Sequence, residues 1–320
     1  MIAFLVRRVV VAVPTLIVIS FIAYVVLSLA PGDPLMARID PGLASQQTEE
    51  WKDARRAELG LDRPLPIQYL KWLEGLVKGD LGYSTATREP IADELRMRLP
   101  ATLQLMGASL FIGLVVGIPA GMFSGLKQYS IFDYSLTTFT VGMIATPTFF
   151  LGLLSIYLFG VTLNLLPTSG METLGAPFSL QDRIEHIILP AGILGLSNAA
   201  VIMRYTRSSM IEVLSQDYIR TATAKGLRHQ AVIFRHSLRN ALIPLITVIG
   251  LLLPELVAGA VITEQIFTWP GMGLMAVSAA ADRDPTMMMG VILVVGVGVL
   301  ISNIVTDFAY TMADPRIRRS

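Results

Sequence analysis

Residues 9–29 read VVVAVPTLIVISFIAYVVLSL, a run without one charged side chain. A bilayer core is about 30 Å thick and is crossed by about 20 apolar residues in a helix, so this stretch predicts a transmembrane span. Five further stretches of the same kind follow at 103–126, 135–161, 187–203, 241–262 and 287–306. Composition agrees: 53% of the 320 residues are hydrophobic and only 15% charged, against roughly a quarter charged in soluble domains. The mean hydropathy is +0.61. Arg7 and Arg8 precede the first run as they would a signal peptide, but a signal core has only about 7–15 apolar residues. No small-residue cleavage site follows; Pro31-Gly32-Asp33-Pro34 reads as a turn. The first span is expected to be an uncleaved anchor.

Lysine and arginine near span ends set orientation. Arg7 and Arg8 lie before the first span. Arg204, Arg207, Arg220, Lys225, Arg228, Arg235 and Arg239 lie between the fourth and fifth, and Arg316, Arg318 and Arg319 follow the sixth. With six spans these segments share one side, expected to be the cytoplasm. The chain is therefore expected in the cell membrane with both termini cytoplasmic. The net charge of +1 gives no reason to expect a nucleic-acid partner. There is no cysteine, so thiol chemistry and disulfides are excluded. His186, His229 and His236 are too scattered to suggest a metal site.

Gly113, Gly117 and Gly121 recur at four-residue spacing in the second span. Small residues so spaced let helices approach closely, which suits packing and also suits a hinge. Pro119, Pro147 and Pro254 lie inside spans, where neighbouring helices must satisfy the freed backbone groups.

The segment 31–100 is polar and is expected to form an extracytoplasmic subdomain packed on the mouth of the bundle. A helix over 48–59 is predicted with Thr48 as N-cap and Gly60 as stop. A second is predicted from Leu65, because Ile67, Leu70, Leu73, Leu76 and Val77 recur at helical spacing and Gly79-Asp80 can end it. The subdomain is either a docking platform for a delivery protein or a cap that stabilises the bundle.

The basic loop 204–240 is too long for a simple turn. Ile211, Leu214, Tyr218 and Ala222 fall on one helical face, and Gly226 can close a helix behind Lys225. A second basic helix is predicted from about Gln230 into the fifth span at Ala241. Positive-inside anchoring alone explains the charges; a glycine-ended helix that plugs into a soluble partner explains them too.

The residues of this loop resemble the coupling loop of ABC importer permeases, in Asp217-Tyr218-Ile219-Arg220-Thr221-Ala222-Thr223-Ala224-Lys225-Gly226-Leu227. The resemblance narrows to the dipeptide/oligopeptide/nickel branch in Thr206-Arg207-Ser208-Ser209-Met210 and Arg239-Asn240-Ala241-Leu242-Ile243-Pro244. It continues in Trp269-Pro270-Gly271-Met272-Gly273, Asp282-Arg283-Asp284-Pro285, and Asp307-Phe308-Ala309-Tyr310 followed by Asp314-Pro315-Arg316. The front end resembles the B-type subunit: Pro31-Gly32-Asp33-Pro34, Leu59-Gly60-Leu61-Asp62, Gln68-Tyr69-Leu70-Lys71-Trp72-Leu73 and Gly79-Asp80-Leu81-Gly82. The general loop motif opens Glu-Ala-Ala, where this chain has Arg220-Thr221-Ala222, and its Ile-x-Leu-Pro is only loosely matched by Ala241-Leu242-Ile243-Pro244.

The resemblance implies an all-α integral membrane protein of six transmembrane helices, with the external subdomain between helices 1 and 2 and a coupling helix between 4 and 5. The expected organisation is 1–30 for the first end and span, 31–100 for the subdomain, 101–311 for the permease core and 312–320 for a cytoplasmic tail. It implies a C-type permease partner, two ATPase subunits carrying the ATP and Mg2+, an extracytoplasmic substrate-binding protein and the lipid bilayer. This chain has no Gly-x-x-x-x-Gly-Lys-Ser/Thr, so it is expected to be a transport subunit and not an enzyme, without a cofactor or metal of its own. The implied cargo is a dipeptide or oligopeptide; nickel chelates and oligosaccharides belong to the same family. Asp217, Tyr218, Arg220, Thr221, Ala222, Lys225, Gly226 and Leu227 are the expected ATPase contact. Charges within a span usually face a cavity or a partner, so Glu255, with Asn198 and Ser197, is a candidate for the pathway. Glu255 can meet a substrate amine or a basic group of the partner subunit.

Three rival classes remain: an ATP-independent secondary transporter, which would show repeats that are not seen here; a membrane scaffold, which has no use for Glu255 or the glycine-ended helix; and a membrane enzyme, for which no catalytic grouping exists in the spans.

Overall fold

The computed structural model describes residues 2–29, 48–59 and 62–313. The turn at 31–34, the stop at Gly60 and the basic residues Arg316, Arg318 and Arg319 lie outside them. Among the described residues the regular structure is helical, apart from an isolated bridge between Tyr83 and Pro90.

Four helices are long and apolar enough to cross a bilayer, or up to six if each of two bent pairs is one span. The chain opens with α1 (Ile2–Ser28). Two short helices follow, α2 (Glu49–Leu59) and α3 (Leu65–Val77). Thr48 caps α2 as expected, its Oγ1 accepting from Trp51 N at 3.3 Å. Gly79, at φ +82, ends α3, with Asp80 N donating to Gly75 O at 2.9 Å. The second long helix, α4 (Ile91–Leu126), starts inside the segment assigned to the external subdomain, at a residue with no exposed surface.

The third apolar stretch, expected as one span over 135–161, is two helices. They are α5 (Ile131–Ala145) and α6 (Thr148–Thr162), bent by 99°. Pro147 causes the bend: the residue before a proline is pushed out of the helical region, and Thr146 is extended at φ -90 ψ 126. Helix α7 (Leu180–Leu214) forms the fourth long element, and α8 (Asp217–Ala224) follows a break at Ser215 and Gln216. The fifth stretch, expected over 241–262, is also broken. α9 (His229–Ala241), π-helical over Val232–Leu238, meets α10 (Ile243–Leu252) and α11 (Glu255–Ala258) at a 47° bend. Pro244, which cannot donate to the preceding turn, sits at the start of α10. Gly259 at φ +78 then turns the chain into α12 (Val261–Ile266) and α13 (Met272–Ala281). The last helix is α14 (Pro285–Ala313).

The centre is the parallel pair α4 and α7. Gly113, Gly117, Gly121 and Gly125 step along α4 one turn at a time and meet, in order, Asn198, Ala199, Met203 and Met210 of α7. A β-carbon at Gly117 would lie 2.8 Å from Ala199 O, and one at Gly121 only 2.6 Å from Met203 O. The contacts run at backbone distance, so the four-residue spacing serves packing.

α14 runs antiparallel to α10 and α11, with Tyr310 bonded to Thr247 and Gly298 close against Val257. It also runs antiparallel to α1, where Arg8 pairs with Asp307 at 2.8 Å. The start of α1, the end of α14 and the loop 204–240 therefore share one face. Asp307, near the end of α14, is held there by this pair.

Replacing Gly121 by alanine forces backbone apart and is expected to destabilise by about 1–3 kcal/mol, the usual cost of overpacking. Gly107, with nothing within 4 Å of an added β-carbon, is the control: Gly107→Ala should be neutral or stabilising by up to about 1 kcal/mol. Melting of the detergent-solubilised protein distinguishes the two.

Candidate functional site

Helix α8 lies across the end of the bundle. Ile219 and Ala222 are buried against Val232 and Val213, which fixes the roll of the helix. The opposite side presents Asp217, Tyr218, Arg220 and Thr221 to solvent, and Lys225, Gly226 and Leu227 are exposed beyond its end. Seven of the eight expected contact residues therefore share an accessible surface. Ala222 does not: it turns inward and acts as a spacer between α8 and α9. The single face expected from Ile211 to Ala222 does not run along one helix, because the break at Ser215 and Gln216 resets the phase.

The glycine closure is as expected. Gly226 has φ +76, and its N–H donates to Thr223 O at 3.0 Å. An added β-carbon would meet nothing within 4 Å, so the demand at this position is conformational within the chain, not steric. Asn240 ties the two loop helices together: its Nδ2 donates to Tyr218 Oη at 3.2 Å and to His236 O at 2.8 Å.

Directly beneath the loop is an ionic clamp that sequence reasoning missed. Arg207 of α7 donates from Nε to Asp133 Oδ1 at 2.7 Å and from a terminal nitrogen to Oδ2 at 2.8 Å. Asp133 also accepts from Tyr129 N at 3.0 Å and from Ser124 Oγ, and its own N–H donates to Ser130 Oγ at 3.2 Å. Planar, two-pronged pairing of this kind is the strong form of the arginine–carboxylate bond. It joins α4, α5 and α7 next to the loop. The local signal was Ser130 three residues before Asp133 at a helix start, a capping pattern; the partner is 74 residues distant in sequence.

The pathway candidates are dispersed. Glu255 is exposed at the start of α11 and has no side-chain hydrogen bond or ion pair among the described residues. Asn198 is half-buried and faces Gly113 in the α4–α7 seam, where it packs. The Ser197 hydroxyl is buried without a hydrogen-bond partner among the described residues. The structure does not bring the three together.

The opposite face holds two further polar centres. Glu264, fully buried, accepts from Thr102 Oγ1 at 2.9 Å and from Leu274 N at 3.0 Å. Burial pushes its carboxyl above the ordinary glutamate range. Trp269 is also fully buried and donates from Nε1 to Ala101 O at 2.8 Å. Asp284 accepts from Ser84 Oγ at 2.5 Å and Thr85 N at 2.8 Å, and caps the start of α14 through Met287 N at 2.9 Å. Residues following α3 are thus bonded to the mouth of the bundle.

A helical membrane protein with a glycine-closed helix laid across one end has the build of an importer permease, and the comparisons agree. Residues 117–319 match the family of binding-protein-dependent transport system inner membrane components, and residues 1–106 match the N-terminal family of the same membrane components. The chain belongs to this binding-protein-dependent transport family. It is 41% identical to the oligopeptide transport system permease protein AppB of Bacillus subtilis and 38% identical to the dipeptide transport system permease protein DppB of Escherichia coli K12. Each alignment covers 99% of this chain and 99% of the relative. The fold is similar to a chain of the MetNI methionine ABC transporter in inward-facing conformations, with TM-score 0.55 and 17% identity, over 69% of this chain and 96% of that one.

Arg207→Ala leaves the buried Asp133 without its counter-charge and is expected to destabilise by about 3–5 kcal/mol, the scale for a broken buried pair. Lys78→Ala removes an exposed ion pair to Glu74, a kind of pair that water screens almost completely, and should leave the melting temperature nearly unchanged. Thermal melting of the two variants provides the comparison.

Proposed function

We propose that the chain is one of two membrane subunits of an ATP-driven importer of dipeptides or oligopeptides. In this reading the two bent pairs each count as one span, giving six, and the face bearing α8 and both chain ends is cytoplasmic. The partners are a C-type permease, two ATPase subunits that hold ATP and Mg2+, and an extracytoplasmic binding protein.

The observation that carries the reading is α8. It is short, seated on Val232 through Ile219 and Ala222, pinned through Tyr218, and otherwise open. A helix held so firmly on one side and bare on the other is suited to a soluble partner. The ATPase contact comprises Asp217, Tyr218, Arg220, Thr221, Lys225, Gly226 and Leu227, with Ala222 setting the helix in place. When the ATPases close, α8 moves as a rigid body with α9, and the Arg207–Asp133 clamp carries that motion into α4, α5 and α7. Rigid rotation of packed elements is an established route between alternative openings. Glu255 belongs to the pathway or to the permease interface, because a charge in a span is costly against lipid.

The peptide cargo follows from what the full-length relatives transport. Nickel chelates and oligosaccharides are the alternatives within the family, and a secondary transporter is the alternative outside it.

The test is to assemble the chain with its permease partner and ATPases and compare Gly226→Val with Gly226→Asn. A β-branched residue at positive φ is an outlier, whereas asparagine tolerates this region. Gly226→Val should lose ATPase co-purification and binding-protein-stimulated ATP hydrolysis while membrane insertion persists; Gly226→Asn should retain most of both. Equal behaviour of all three proteins would place the coupling surface elsewhere. Failure of the unaltered chain to bind any ATPase would return the reading to a secondary transporter.

A further inference from the structure

The second short helix, α3, belongs to a segment expected to face water, yet it touches α1 far from that helix's end. Tyr69 of α3 is buried, and its hydroxyl lies 2.8 Å from Ser20 Oγ and 3.1 Å from Ile17 O. Ser20 stands eight residues before Ser28, where α1 ends. At 1.5 Å per residue that is about 12 Å along the axis, more than a tyrosine side chain can span. The backbone of α3 therefore sits beside α1 at a level within its apolar run, not above it. Rings cement the contact: Tyr69 packs edge-on to Phe21 at 5.1 Å and Tyr24 at 5.8 Å, and stacks on Trp72 at 5.8 Å.

With 3.6 residues per turn, α3 divides into three strips. Leu65, Tyr69, Trp72 and Leu76 point towards α1. Lys71, Glu74 and Lys78 form a charged strip on the far side, with Lys78 Nζ 2.6 Å from Glu74 Oε1. Between them lies an apolar flank of Leu70, Leu73 and Val77, in which Leu70 is 60% and Val77 83% exposed. On another face α1 exposes Val18, Ile22 and Val26, a surface suited to acyl chains if α1 crosses the bilayer.

We infer that α3 is seated in the outer leaflet, with Leu70 and Val77 against lipid acyl chains and Lys71 and Lys78 at the headgroups. Amphipathic helices with this division lie in the interface plane, aromatic rings concentrate there, and lysine extends its charge to the polar layer while its stem stays apolar. The occupant is lipid because Tyr69 holds the flank at the level of Ser20, within the apolar run of α1, and because a lysine strip adjoins it. The inference rests on α1 crossing the membrane in the orientation proposed above, and not on the cargo.

The chain has no cysteine, so single introduced cysteines can carry a nitroxide without background. The experiment places labels at Leu70→Cys, Val77→Cys, Lys71→Cys and Val18→Cys in the assembled complex in lipid nanodiscs. Collision with oxygen, which concentrates in lipid, is compared with collision with a water-soluble nickel chelate. Oxygen should dominate several-fold at 18, 70 and 77, and the chelate at 71. Chelate dominance at 70 and 77 with oxygen dominance at 18 overturns the seating of α3 and leaves the span intact. Protection from both probes at 70 and 77 also overturns it, and identifies a protein neighbour as the occupant. Chelate dominance at 18 removes α1 from the membrane and takes the proposed topology with it.

Discussion

Everything in this chain is arranged around the close approach of α4 and α7. Four glycines at one-turn intervals remove the side chains that would hold the two helices apart, and backbone carbonyls of α7 come within reach of α4. In lipid there is no hydrophobic gain from hiding apolar groups, so association depends on packing area and short-range contact. A seam of this length supplies both. It also places Asn198 beside the seam, with its Cβ against Gly113.

Polar bonds finish the seam at each end. On the face bearing α8, Asp133 and Arg207 close over the last glycine turn and bring in α5. On the other face, Trp269 reaches the backbone of α4 at Ala101, and Thr102 bridges the same helix to Glu264 and to Met272 N. Gly271 and Gly273 are constrained by Glu264: a β-carbon at Gly273 would lie 3.0 Å from its Oε2. The Trp-Pro-Gly-Met-Gly stretch is thus a wrapping for one buried carboxylate. Each of these charges has its own donors, which is the condition under which buried charge is tolerated.

Local signals were read well and distant ones poorly. Thr48, the start at Leu65 and the stop at Gly79 were legible because capping and glycine turns are decided by the residues themselves. The long helices were legible from apolar length alone. The bend at Pro147 was visible as a proline but not as a right angle, since its size depends on how α6 docks. Ala222 entered the expected ATPase contact through the resemblance alone, and the packing that turns it onto Val232 depends on a helix further along the chain. The resemblance picked out Arg207, but Asp133, Glu264 and Thr102 were passed over, because each gains its meaning from a partner far along the chain. Likewise the 31–100 segment was read from its charge content, which gave no hint that Tyr69 reaches the middle of α1.

Helix α14 joins the two faces without a break. It begins where Asp284 holds Ser84 and Thr85, and near its other end Asp307 holds Arg8. Its 29 residues amount to about 43 Å of continuous helix. A stiff rod pinned at both ends transmits displacement with little loss, unlike the broken fifth stretch beside it, which can flex at Leu242 and Gly259. Tension applied to the loop around Ser84 would therefore be felt at the base of α1, on the opposite face of the bundle, by a route that bypasses the α4–α7 seam altogether.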